Sequence, residues 1–465
     1  MGNNVIANNA AQALDTDQFT GPVFRPGDEG YEQEIAGFQT DYTHRPELVV
    51  GAVHVEDVRS AVEYAARHGL PVAVQATGHG LSVAAAGGVL ISTRRMTGIT
   101  VDAQARTARV AAGVRAGALV AAAAAHGLAP LNGSSPSVGV IGYALGGGIG
   151  LLAREFGYAA EYVLAIELVT ADGRVRRLTP GDELFAAVLG TGGNYGVVTA
   201  LELELVPVTE VWGGQLVFDA PLAAEAVEAW RQWTATVPEA LTSTVAMLEY
   251  PDIPQLPAPL RGRYVASIRI AFTGPAAEGE RLVAPLRAVG ARLKDDLRTM
   301  PYTESHTIHS DPDHPHAYAA TNAMLGEFTG EALAALLSVT GPGGPVRAVV
   351  DIRHLGGALG TAGRSGIAVD HRDAGYVARV ITGSDPDAPD VAPEAQALVR
   401  KVLAPWTIGH SLNFIYGAGA AADEAQTRAG YAAATYARLA ELKAKYDPDN
   451  MFRFNRNIRP AGGTD

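Results

Sequence analysis

The chain has no cysteine among its 465 residues. That removes disulfides, thiolate metal sites and a cysteine nucleophile. It also lacks any apolar run approaching the roughly 20 residues that span a bilayer; the alanines at 121–125 are too few and sit in a helical pattern. The opening MGNNVIANNAAQALDTDQF has no basic segment followed by an apolar one, so it does not read as a secretory signal. Ile6 stands where a myristoylation signal needs Ser or Thr. Basic residues are the minority, 36 Lys+Arg against 49 Asp+Glu, and the net charge of −13 argues against nucleic acid or an anionic membrane as partner. A cytoplasmic protein is the expectation, with oligomeric state left open.

What is present is ample apolar material. Hydrophobic residues make up 48% of the chain, enough for a large core rather than a disordered one. At roughly 150 residues per domain the length suggests two or three domains. Residues 1–45 read as irregular with a short helix. LVVGAV (48–53) and PVAVQA (71–76) read as buried strands. Between them, Val55 to His68 carries Val58, Val62, Ala65 and Ala66 at helical spacing, with Glu56 and Asp57 in the first turn and Gly69 as the stop. Strands follow near 88–92, 98–102 and 107–111, then an Ala-rich helix near 115–126. Beyond about 208 the texture changes: RYVASIRIAF (263–272) and RAVVDIRHL (347–355) read as strands among helices, and 424–445 reads as one long amphipathic helix.

Three glycine-dense loops lie in the first 200 residues: QATGHGLS (75–82), GSSPSVGVIGYALGGGIG (133–150) and GTGGNYGVVT (190–199), the last running into ALELELV (200–206). Such loops permit positive φ and close backbone approach. Their N–H groups can form nests for a pyrophosphate, which suits a dinucleotide. Taken alone, the Gly triplet at 146–148 reads equally well as tight packing. No glycine fingerprint follows a first strand with an acidic residue about 20 positions on, so a Rossmann site is not expected, and a P-loop is absent.

Taken together the loops resemble the p-cresol methylhydroxylase/vanillyl-alcohol oxidase flavoprotein superfamily, in its berberine-bridge-enzyme-like branch, to which bacterial hydroxynicotine oxidases belong. YDPDNMFRFNRNIRP (446–460) is similar to the branch's C-terminal signature, and DIRHLGGAL (351–359) and SLNFIYG (411–417) to its substrate-domain elements. The resemblance implies an α+β fold: a two-part FAD-binding domain of the vanillyl-alcohol oxidase type (1–207, returning at 421–465) and a substrate domain (208–420) with an antiparallel sheet flanked by helices. It implies FAD linked covalently through His79. It places Gln75, Ala76, Thr77, Gly78, Gly80 and Ser82 of the first loop at the cofactor. From the second loop it places Ser135, Val138, Gly139, Gly142, Tyr143, Gly146, Gly147, Gly148 and Gly150 there. Gly193, Asn194, Gly196, Val197 and Val198 of the third join them, with Asn413, Asn455 and Asn457.

Two departures matter. Bicovalent members have a cysteine where this chain has Ser135, so a single link, and a milder oxidant, is implied. Tyr143 stands where many members have histidine. The small Val138, in the place bordering the flavin, implies access for O2 and hence an oxidase that releases hydrogen peroxide.

A flavin enzyme takes a hydride from a substrate C–H and needs a group for the accompanying proton. Candidates are Tyr250, His354, Tyr376, His410 and Tyr416, with Arg353 as an electrostatic partner. The resemblance carries over Arg353 and Asn413 as catalytic. The usual tyrosine two places before this Asn is Ser411, so Tyr416 or Tyr143 is the candidate replacement. His306, His309, His314 and His316, with Asp311 and Asp313, lie in a Pro-rich stretch that reads as a solvated loop near the substrate entrance rather than a metal site. The expected substrate is a small alcohol, amine or activated C–H compound of secondary metabolism. Rival readings are a flavin-scaffolded cyclase without net redox, a dehydrogenase using another acceptor, and a binding protein that has lost FAD. A reductase using NAD(P)H has no nicotinamide motif behind it.

Overall fold

The computed structural model describes residues 18–254, 256–361, 363–364, 366–383, 392–416 and 424–463. Gly417, the last residue of SLNFIYG, and residues 1–17 of the N-terminal stretch lie outside them.

The helix Val55–His68 forms for the reasons its sequence suggests. His54 Nδ1 accepts from the Asp57 N–H at the start, Gly69 closes it at φ 64°, and Val58, Ala61, Val62 and Ala65 are buried on one face. It belongs to a small sheet in which Leu48–Gly51 and Val72–Gln75 both pair in parallel with Val89–Ser92. All four residues of Leu48–Gly51 are buried, as a run without polar alternation requires. A second, five-stranded sheet is antiparallel, in the order Ile99–Asp102, Thr107–Ala111, Val197–Glu204, Val163–Val169, Val175–Leu178.

The third sheet runs from Glu210 to Gly409 and is also antiparallel. Its centre is Glu210–Asp219, Tyr264–Phe272, Leu241–Glu249, Val349–His354, Tyr376–Gly383 and Tyr318–Leu325, side by side. One face carries Leu216, Ile268, Val245, Ile352 and Ala378, packed against the helices Ala220–Trp233, Gly330–Thr340 and Ala392–Leu403 through Trp230, Leu336 and Val399. The opposite face is polar, yet Gln215, Ser267, Thr244, Asp351, Arg353 and Asn322 on it are all buried. The glycine-loop half of the molecule covers them.

The expected single helix over 424–445 is two helices, Glu424–Arg428 and Ala433–Tyr446. The break has a local cause. The Leu412 side chain lies 2.9 Å from where a Cβ on Gly430 would sit, the Asp370 carboxylate accepts from the Ala432 N–H, and the Tyr431 hydroxyl reaches back to Gly190 O at 2.9 Å. The C-terminal helix then packs Leu439 and Leu442, with Phe452 and Ile458 beyond it, into the core shared with Val62 and Ile166. Each such side chain contributes about 1.5–3 kcal/mol on burial. Among the described residues no helix is long and apolar enough to cross a membrane.

Candidate functional site

The first glycine loop leaves the strand Val72–Gln75 and turns at Gly78. There φ is +72° and a Cβ would lie 2.6 Å from Gly37 Cα, so only glycine fits. The turn presents His79. Its ring stacks on Phe38 (3.7 Å between centroids, 15° between planes). Its Nε2 lies 2.8 Å from Ser137 Oγ, which lies 2.9 Å from Ser135 Oγ. Its carbonyl accepts from the Tyr318 hydroxyl at 2.6 Å. Burial first, and then the nearby Arg115, push the imidazole down to about 4. The ring is therefore neutral near pH 7, the form whose nitrogen lone pair can bond to carbon. Among the described residues, the backbone N–H groups of Gly78, His79 and Gly80 donate to nothing.

The other loops converge on this one. Gly139 lies against Ala76 and Thr77, and the Gly190 and Gly192 N–H groups both donate to Leu145 O, at 2.8 and 3.0 Å. Asn413 binds the second loop: its Nδ2 donates to Tyr143 O at 3.1 Å, and its Oδ1 fills the place where a Cβ on Gly146 would fall, 1.6 Å away. The C-terminal segment holds the third. Asn194 accepts from the Ile458 N–H (2.9 Å) and donates to Arg456 O (3.1 Å), and Asn455 donates to Gly193 O (3.2 Å). Beneath them the fully buried Lys443 donates to Asn194 O (2.6 Å), Asp447 (2.6 Å) and Phe452 O (3.0 Å). Val197 and Val198 begin the buried strand behind the loop. Gly147 and Gly148 have positive φ, and Gly148 packs on the Tyr143 ring. Gln75 Nε2 donates to Ile35 O and Ser82 Oγ lies 3.4 Å from Ile415 O, so these two hold the loop to its neighbours.

This arrangement suits FAD on grounds independent of resemblance. The first-loop N–H groups are free for a pyrophosphate. Cβ atoms on Gly80, Gly142 and Gly193 would all point into open space. Asn455 Oδ1 and Asn457 Oδ1 are buried acceptors without partners among the described residues. An apolar cavity, lined by Val138, Gly139, Tyr143, Val163 and Leu203, adjoins the second loop.

From His79 a chain of contacts, polar but for one ring-to-ring step, crosses to the sheet. Tyr318, bonded to the His79 carbonyl, packs edge-on against Tyr416 (5.4 Å). The Tyr416 hydroxyl accepts from Arg379 Nη1 at 3.3 Å. Arg379 pairs with Asp351 at 2.5 Å, and Arg353 pairs with the same carboxylate at 3.2 Å. Both guanidiniums lie over the Phe414 ring at 5.1 Å. Burial alone would raise the Asp351 pKa, but Arg353 and Arg379 hold it well below the carboxylate range. Burial opposes the charge on Arg379, and Tyr416 and Asp351 outweigh it. Tyr416 is pinned by paired backbone bonds with Ala320.

The other proton acceptors considered are placed elsewhere. The Tyr143 hydroxyl is buried beneath Gly148 and Gly150 without a partner among the described residues, and burial pushes its pKa far up. Tyr376 bonds Thr234 at 2.6 Å on the helix side. Tyr250 lies one residue beyond the strand Leu241–Glu249, its N–H donating to Arg263 O at 2.9 Å. His410 Nδ1 contacts Asn322 O at 2.6 Å. His354, beside Arg154 (2.5 Å), is pushed down to about 3 by burial and by that cation.

The 306–316 stretch needs correction. Asp313 and His314 are exposed, as a solvated loop requires, but His309 is buried at 4% exposure. Ile308 and Tyr302 anchor it in a small hydrophobic cluster with Val211 and Met300. Asp311 accepts the Ser134 hydroxyl at 2.5 Å, tying the stretch to the second loop. Among the described residues no group of three or more acidic or histidine side chains is placed to hold a metal.

Phe38, Ser137, Tyr318, Asp351 and Arg379 all contribute to the site and none stood out in sequence. Only the alternation within VVDIRH, which puts Asp351 and Arg353 on one face, hinted at a polar sheet face.

Comparison with known proteins agrees with this geometry. Residues 46–179 match the FAD binding domain family, and 421–459 match the berberine and berberine-like family, whose first residues here lie outside those described. The (R)-6-hydroxynicotine oxidase of Paenarthrobacter nicotinovorans is 28% identical over 95% of this chain and 97% of its own length. The FAD-linked oxidoreductase YvdP of Bacillus subtilis is 27% identical over 96% and 99%. Among solved structures, 6-hydroxy-D-nicotine oxidase from Arthrobacter nicotinovorans superimposes with a TM-score of 0.81 at 26% identity, over 95% of this chain and 98% of its own. The carbohydrate oxidase of Microdochium nivale shares the fold, with a TM-score of 0.81 at 21% identity over 95% and 98%.

Proposed function

We propose that this chain, a berberine-bridge-enzyme-like FAD-linked oxidoreductase, is an oxidase that carries FAD covalently on His79 and passes electrons to O2. The observation that supports this reading best is the chain of contacts from His79 through Tyr318, the ring of Tyr416 and Arg379 to Asp351 and Arg353. It brings a cofactor loop and a proton-handling tyrosine to one place.

When bound, FAD accepts a hydride from a substrate carbon. The chain's residues do the rest. Tyr416 Oη takes the proton from the substrate's adjacent O–H or N–H, and the Arg379 guanidinium, 3.3 Å away, stabilises the charge that the oxygen gains. Asp351 orients both arginines. Asn413 fixes the second loop against the sheet. Ser137 holds the His79 ring, with Phe38 on its face, in the orientation needed for a bond to carbon. Val138, half-buried at the apolar cavity, leaves room for O2. In balance, a substrate CH–OH or CH–NH and O2 give C=O or C=N and hydrogen peroxide. The relatives' names, a hydroxynicotine oxidase among them, support a small substrate such as a secondary metabolite.

The test is stopped-flow reduction of the purified protein by candidate alcohols and amines without air, followed by mixing with aerated buffer. Rapid reoxidation with one peroxide per turnover is expected. Slow reoxidation by O2 but rapid reoxidation by a quinone dye makes the protein a dehydrogenase, and turnover without flavin bleaching or peroxide makes it a cyclase.

A further inference from the structure

The polar face of the large sheet holds more positive charge than its own residues neutralise. Arg269, Arg353 and Arg379 face Asp351 and Asp311, three cations against two anions. His309 adds no charge, because burial and then Arg269 push it down to about 3. Arg154, at the edge, bonds His354 and Leu355 O and has the Glu239 carboxylate as its attracting anion, so it leaves the surplus at one cation. Leaving a cation uncompensated in a protein interior is costly, so this surplus calls for a partner.

The vacancy in the bonding pattern is local. Arg269, Thr244 and Arg353 are direct neighbours across three hydrogen-bonded strands. Among the described residues, Arg269 Nε, Thr244 Oγ1 and Arg353 Nε are buried without a hydrogen-bond partner. Among the described residues Arg269 bonds no carboxylate through its side chain, which reaches His309 Nδ1 at 3.4 Å. All three line one cavity, which Gly150 and Leu151 of the second glycine loop also line. A row of donors with surplus positive charge, facing the cofactor loop, fits one chemistry: a planar anion that takes two hydrogen bonds from a guanidinium.

Resting on the oxidase reading above, we infer that the substrate carries a carboxylate, which Arg269, Thr244 and Arg353 receive in this cavity while the oxidised carbon faces the second loop. Neutral sugars and uncharged alkaloids would leave the surplus unmatched. Arg269 and Thr244 are thereby specificity-determining residues, and Arg353 serves both the substrate anion and the Asp351 pair.

The experiment titrates the purified, FAD-loaded protein with benzoate and with benzamide, which share a shape and differ in charge. Binding is followed by the flavin's visible absorption and by thermal shift. Benzoate is expected to bind saturably and at least about tenfold more tightly than benzamide, and Arg269→Gln to weaken benzoate about tenfold or more with little effect on benzamide, the loss expected for one charge-assisted bond. Arg353→Gln should do the same; if it fails to fold, Arg269→Gln carries the test. Equal binding of the two probes overturns the inference. So does unchanged benzoate affinity in Arg269→Gln, even with an altered flavin potential, since the charge would then serve the cofactor. A yellow protein blind to benzoate breaks this inference alone, whereas a preparation that takes up no FAD breaks the oxidase reading beneath it.

Discussion

Two surfaces meet at the centre of this molecule, and they announce themselves differently in the sequence. The glycine loops at 75–82, 133–150 and 190–199 are built from residues whose scarcity of side chain is itself the signal, because backbone must approach backbone or ligand there. The sheet face opposite is built from Arg269, Thr244, Asp351, Arg353, Arg379 and Asn322, each of which looks like an ordinary surface residue in a strand. One surface is specified locally, within eight to eighteen residues. The other exists only after strands from 210 to 409 have paired in register. Chemistry that depends on the loops is therefore readable in one dimension, and chemistry that depends on the sheet is not.

The largest expected effect tests the sheet side. Tyr416→Phe removes the hydroxyl that Arg379 bonds, and should slow anaerobic flavin reduction by about 10²–10⁴-fold, the range of a lost general base, with the visible spectrum retained. Tyr143→Phe, whose hydroxyl is buried without a partner among the described residues, should fall well short of that. Equal losses, measured by stopped flow, would mean that the sheet holds no privileged tyrosine.

Next comes the loop side. Lys443→Met strands the buried Asp447 carboxylate and removes the donor to Asn194 O. A destabilisation of about 3–5 kcal/mol is expected from breaking a buried pair, together with loss of the third loop's hold on the cofactor. Urea unfolding and the FAD content of the same sample check both. An unchanged unfolding midpoint would show that the C-terminal return does not support the loop.

A smaller effect spans both surfaces. His44, His309 and His354 are held neutral chiefly by burial, with values pushed down to about 4, 3 and 3. In the unfolded chain each would bind a proton below about pH 6.5. The unfolded state then holds more protons than the folded one, so this stability is fully present above about pH 6.5 and is lost as pH falls toward 4. Calorimetry between pH 7.5 and 4.5 should show a falling Tm, and His44→Gln should make the fall shallower. A flat profile would contradict the burial of these imidazoles.

How much could be read in advance follows from the same contrast. The helix Val55–His68 and the strand Leu48–Gly51 carry their own caps and periodicity, and each appears where its sequence suggests. The 424–445 segment has a continuous helical pattern, and it breaks on contacts from elsewhere in the chain: Leu412 against Gly430, Asp370 on the Ala432 N–H and Tyr431 reaching Gly190, more than 200 residues away. His79 was legible because a histidine between two glycines is conspicuous. Ser137 and Phe38, which orient its ring, are a common serine and an aromatic from a different loop. His309 looked solvated because its neighbours, Asp313 and His314, are; its burial depends on Ile308 and Tyr302 finding a pocket built by distant strands.

The central claim is that His79 is the covalent anchor joining the two surfaces. Acid precipitation of the purified protein tests it most directly. The account predicts that the yellow colour stays with the pellet in the wild-type protein and moves to the supernatant in His79→Ala. Yellow supernatant from the wild-type protein would contradict it.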